Sequence, residues 1–109
     1  MGHFSNLEPH QLEALALLAE ELAEAGQVIG KILRHGLGSK HPDGGPDNRA
    51  LLERELGDVS AAVDIAVDLG VIMGTNVLVA RSNKLNRIGT YLHHIEILEV
   101  GRTVVAEPK

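Results

Sequence analysis

Apolar residues recur at helical steps through most of the chain. From about Glu8 to Arg34, the residues Leu12, Leu15, Ala19, Leu22, Ile29 and Leu33 fall three, four or seven apart, which predicts one long amphipathic helix. Ser5 followed by Glu8 has the capping-box spacing, Pro9 suits a first turn, and Gly36 and Gly38 supply the stop. Leu37 to Asp47 is rich in Gly, Pro, Ser and Asp and reads as a loop, with successive turns across His41-Pro-Asp-Gly-Gly-Pro46. A second helix begins at Asp47 or Asn48, either of which can be its N-cap. It runs through Leu51, Leu52, Leu56, Val59, Ala62, Val63, Ala66 and Val67 to Gly70. After a short apolar connection from Val71 to Gly74, Thr75 caps a third helix reaching His93, with Gly89 as its weak point. Ile95 to Val105 alternates imperfectly around Gly101-Arg102 and reads as extended, or as a small hairpin with a two-residue turn.

Carboxylates break this pattern in two places. Glu21 and Glu24, and then Glu55 and Asp58, are i, i+3 pairs, so each pair projects from one helix face. On the second helix, Glu55 falls among Leu51, Leu52, Val59, Ala62 and Ala66, inside the apolar sector, and Asp58 lies at its edge. Glu53, Asp64 and Asp68 take the opposite, polar side. On the first helix, Glu21 and Glu24 lie off the main stripe, on a second line with Leu17 and Val28 that Lys31 and His35 continue. That side is expected to line a cleft or a subunit contact. An unpartnered buried carboxylate is costly, and several in one dry site repel one another unless cations lie among them. Oxygen-only ligands favour Mg²⁺, with Mn²⁺ as a substitute, and Mg²⁺ held by a few carboxylates generally works on phosphates. Salt bridges to Arg or Lys are the competing explanation for Glu55 and Asp58, and a plain charged helix face for Glu21 and Glu24.

Composition narrows the picture. The 109 residues suffice for one domain, and a 44% hydrophobic content excludes disorder of the whole chain. One Phe, one Tyr and no Trp leave a core of Leu, Ile, Val and Ala, which suits close-packed helices. The absence of Cys removes disulfides and thiolate metal sites and fits a cytoplasmic protein. Met1 to Asn6 has no signal-peptide character, and no apolar run is long enough to span a bilayer. A net charge of −5 argues against a nucleic-acid polymer as partner while leaving room for a nucleotide.

Taken in order, Glu20-Glu-Leu-Ala-Glu-Ala, Lys31-Ile-Leu-Arg-His-Gly36, Asn48-Arg-Ala-Leu-Leu-Glu-Arg-Glu-Leu-Gly-Asp58 and Tyr91-Leu-His-His94 resemble the MazG-like all-α nucleoside triphosphate pyrophosphohydrolases, in particular the compact phage-type members. The resemblance covers about Leu18 to His94. It implies that Glu21, Glu24, Glu55 and Asp58 coordinate divalent metal, with Glu21 or Glu24 as the alternative general base. The implied reaction is cleavage of a nucleoside or deoxynucleoside triphosphate to monophosphate and pyrophosphate. Phage-type relatives suggest dGTP or GTP, and a host-cytoplasm location if the chain is phage-encoded; removal of noncanonical nucleotides is the enzymatic rival.

Downstream, Lys84 and Arg87 share a face of the third helix, and Tyr91 follows Arg87 at i+4. Family resemblance makes Lys84 the first choice for gripping the triphosphate. Arg87 and Lys31 are further phosphate candidates, Arg34 has a weaker claim, and Asn83 and Tyr91 can contact sugar or base. The expected architecture is all-α: an antiparallel helical bundle completed by association into a homodimer or homotetramer, because both long helices carry apolar residues on more than one side. A non-enzymatic oligomeric interaction module, with the carboxylates in ion pairs, is the reading from a different class.

Overall fold

The computed structural model describes residues 5–99 and 101–107; the expectations for Met1 to Phe4 and for Val100 in the hairpin turn fall outside the described residues. The described residues are mostly helical, with three α-helices and one small antiparallel two-stranded sheet. Packing divides the chain into two compact units, Met1–Val71 and Ile72–Lys109.

In the first unit, α1 (Pro9–His35) and α2 (Asn48–Asp68) pack along their lengths. His10, Ala14 and Leu17 near the start of α1 share a pocket with Ile65 and Leu69 from the end of α2, while Lys31 and Arg34 share another with Asn48 and Leu51. The pair is therefore antiparallel. The helix starts differ slightly from expectation. Glu8, not Ser5, is the N-cap of α1, and its backbone N–H donates to Gln11 Oε1 at 2.9 Å. Pro9 explains the shift: the residue before a proline is driven to extended backbone, so Glu8 cannot sit inside the first turn. Asp47 caps α2 as expected, accepting from the Ala50 N–H at 2.9 Å. Gly70 closes α2 with φ +73°, its N–H donating to the Val67 carbonyl and the Val71 N–H to that of Ala66. That is the double bond of a Schellman ending, which needs a left-handed residue.

The seam between the helices is built from small side chains. Ala14, Ala25, Val28, Ala62 and Ala66 are its buried apolar residues, and among the described residues no large side chain is fully buried. The main stripe of α1 is not this seam: Leu22 and Ile29 are exposed and Leu33 is 82% exposed. The face turned to α2 is the second line, the one carrying Glu21, Glu24 and Val28. Small seam residues let the two backbones approach closely enough for side chains on both to meet.

In the second unit, α3 (Gly74–Arg87) begins one residue before the expected cap: Met73 is the N-cap, and its carbonyl accepts from Asn76 and Val77. Thr75 lies within the first turn. The α-helix ends at Arg87 instead of His93 and tightens into a 3₁₀ turn over Ile88–Tyr91, where Gly89 weakens the ladder. The tail is the hairpin, β1 (Ile95–Glu99) against β2 (Arg102–Val105), with Ile95 opposite Val105 and an irregularity between Ile97 and Glu99. Gly101 takes φ +85° at its turn. No helix among the described residues is long and apolar enough to cross a membrane.

Candidate metal centre

Glu21 and Glu24 stand one turn apart on the seam face of α1, and Glu55 meets them from the middle of α2. One carboxylate oxygen of each lies within 4.8 Å of the others. Glu55 is 8% exposed, on the line of α2 that also buries Asn48, Ala62 and Ala66. Its Oε2, and Oε2 of Glu21, are buried without a hydrogen-bond partner. Arg54 reaches Glu55 Oε1 at 3.8 Å from a position that is 63% exposed, too long and too wet a pair to neutralise the group.

The electrostatics follow from that crowding. Burial, then the charges of Asp58, Glu55 and Glu20, raise the proton affinity of Glu21 above the usual carboxylate range. Glu24 is raised first by the charge of Glu21, then by burial, by the charge of Glu55 and a hydrogen bond with it, and by Glu20. Carboxylates this close repel one another when ionised, and a proton or a cation between them relieves that repulsion. The donor set fits a hard divalent ion. It is oxygen only, drawn from two helices, and two of its oxygens have no other use.

Of the four carboxylates singled out from sequence, the structure brings three together. Asp58 is exposed on the next turn of α2, outside the group of three, yet its charge acts on Glu21. Lys31 lies two turns beyond Glu24, exposed, on the wall of a cleft at the end of α1. Asn83, Lys84 and Arg87 are exposed on α3 and Tyr91 is 72% exposed, all in the second unit. Lys84 and Arg87 keep their common helix face. Tyr91 does not continue it at i+4, because the intervening turn is 3₁₀ with about three residues per turn.

Asn48 was not anticipated as more than a possible cap. It is buried, and its Nδ2 donates to the Gly36 carbonyl at 3.1 Å, fastening the end of α1 to the start of α2. Asp-Asn at a helix start carries the signal: one Asx caps, which leaves the other's amide free for a distant partner. The chain matches no family model, no curated protein and no solved structure. Its function is therefore argued from its own residues.

Proposed function

We propose that this chain is a metal-dependent nucleoside triphosphate pyrophosphohydrolase, releasing a monophosphate and pyrophosphate, with dGTP or GTP as the preferred substrate. One observation carries the reading: Glu21, Glu24 and Glu55 converge with two buried oxygens unpartnered, an arrangement that a divalent cation relieves. Glu21, Glu24 and Glu55 would hold Mg²⁺ or Mn²⁺, with Asp58 joining from the rim. Bound Mg²⁺ supplies charge neutralisation of the phosphates and a lowered pKa for water. Glu24 or Glu21 would accept a proton from an attacking water instead of binding metal directly; the raised proton affinity of both supports that role. Lys84 and Arg87 would grip phosphate oxygens, and Asn83 and Tyr91 would contact sugar or base. The same reading includes a homodimer or homotetramer in the cytoplasm, because the Leu22, Ile29 and Leu33 face of α1 is left uncovered.

That face also favours a second reading, an interaction module without turnover. A product assay separates the two. Eight ribo- and deoxyribonucleoside triphosphates are incubated with Mg²⁺, Mn²⁺ or EDTA, and monophosphate and pyrophosphate are measured. The enzyme gives both products with metal and neither in EDTA, and Glu55→Gln lowers the rate by roughly 100-fold or more. Full activity in Glu55→Gln removes the proposed centre. No product from any nucleotide, with no effect of Mg²⁺ on thermal stability, leaves the interaction module.

A further inference from the structure

Where α1 ends, a cleft of about 560 Å³ opens between its last turns, the 36–47 loop and the start of α2. Lys31, Arg34 and His35 line it from the helix, and Lys40 and His41 from the loop. None of the described residues lining it is Asp or Glu, although the chain as a whole has net charge −5. Among the described residues, Lys31, Arg34 and Lys40 have no carboxylate within 4.0 Å. Complementing the negative end of α1 accounts for Arg34 and His35, and His41 has the Asp43 carboxylate 3.5 Å from its Nδ1, but neither accounts for Lys40, which arrives from a separate segment.

The cleft has a fixed frame. Asn48 N–H donates to the Ser39 carbonyl at 3.0 Å, Arg49 N–H to that of Leu37 at 3.0 Å, and the backbones of Lys40 and Asp47 form an antiparallel bridge across the base of the loop. With the Asn48 amide on Gly36, these bonds hold the loop cations in a set relation to the helix cations. His41 Nδ1 accepts the Asp43 N–H at 3.2 Å, so in the neutral ring the proton resides on Nε2, which is a donor. Arg34 folds its guanidinium back over Gly30, where an added Cβ would meet it at 3.4 Å. Leu51, on the cleft wall, is one helical turn from Glu55.

We propose that this cleft is a binding site for a phosphate-chain anion, with Arg34 and Lys40 as its principal grips. Its volume suits a small ligand instead of a nucleic-acid strand. Forked and mobile cations supplied from two segments match several phosphate oxygens presented together. The natural source rests on the pyrophosphohydrolase reading: either the substrate's own phosphates or free pyrophosphate left after cleavage. The existence of the site does not rest on it.

The test is isothermal titration of the full chain with tripolyphosphate in EDTA, where the bare carboxylates repel anions and a double variant at Arg34 and Lys40 separates the cleft from cations elsewhere on the chain. Wild type gives saturable binding. Glu55→Gln binds at least as tightly, having lost a nearby negative charge. Arg34→Gln with Lys40→Gln weakens binding about tenfold or more while the chain stays folded, with the melting temperature lowered only by the loss of one helix-end charge because both side chains are exposed. No saturable binding to wild type, or equal binding by the double variant, overturns the proposal. Hydrolysis with Mg²⁺ then tells the sources apart. A KM raised more than kcat is lowered in the double variant assigns the cleft to the substrate. Unchanged KM with lost inhibition by pyrophosphate assigns it to the product. If wild type hydrolyses nothing, the enzyme reading fails, and the titration in EDTA still decides the cleft.

Discussion

Glu21, Glu24 and Glu55 each bring one carboxylate oxygen within 4.8 Å of the others. The metal-free protein therefore folds against its own charge. Unfolded, Glu21 and Glu24 titrate near 4.5; folded, both are raised. Between those values the folded state holds more protons than the unfolded one, so stability falls as pH rises. The contribution of these two groups is fully present below about pH 4.5 and is lost as pH climbs through their raised values. Melting curves in EDTA across that range should show wild type losing stability relative to Glu21→Gln with Glu24→Gln, and Mg²⁺ at neutral pH should restore it. Parallel curves for the two proteins would mean that the carboxylates are not under strain. Glu55 was legible from sequence for the same physical reason: a charge at the centre of an apolar sector has to be matched by something. Its convergence with Glu21 and Glu24 was less so, because neighbouring lines on α1 compete for the seam and periodicity favours the more apolar one.

Between α1 and α2 the loop is organised by one side chain. Asn48 is buried, and the hydrogen bond that its Nδ2 donates to the Gly36 carbonyl bridges the two helix ends directly. Asn48→Ala leaves the Gly36 carbonyl unpaired and should cost roughly 1–3 kcal/mol in a denaturant titration, more than the few tenths expected at an exposed loop position. Asn48→Asp, which has an acceptor where a donor is needed, should do no better than Ala. An unchanged midpoint in both variants would show that the clamp contributes nothing. At this scale the elements were largely readable. Asp47 as cap, Gly70 as stop and the hairpin around Gly101 all follow from local chemistry. The bond from Asn48 spans twelve residues, and no local pattern announces it. Glu8 and Met73 displaced the expected caps for two reasons: a proline governs the residue before it, and a backbone carbonyl can start a helix without a hydroxyl.

Across the whole molecule, the main apolar stripe is the feature that the first unit does not use. Leu22, Ile29 and Leu33 stand exposed on α1, Leu56 and Ile65 on α2, while the seam between these helices buries alanines and a valine. A seam of that size excludes little water, and burying one large aliphatic side chain is worth about 1.5–3 kcal/mol. The proposed assembly would gain several such terms at once. Sedimentation equilibrium should give a mass at least twice the 11.7 kDa of one chain, and Leu33→Asp should lower both that mass and the melting temperature. A monomer at all concentrations would contradict the assembly without touching the carboxylate centre. Periodicity picked out the stripe but not its exposure, because a repeat of apolar positions does not say whether anything within the chain covers it.

The placement of the three carboxylates has a genetic meaning. Glu21, Glu24 and Glu55 all come from one continuous segment, so each copy carries a complete set, whatever it associates with. Lesions in this centre are private to the chain that bears them. A copy lacking Glu21 and a copy lacking Glu55 would not repair one another on mixing, and a sound copy beside a defective one would keep its own carboxylate set.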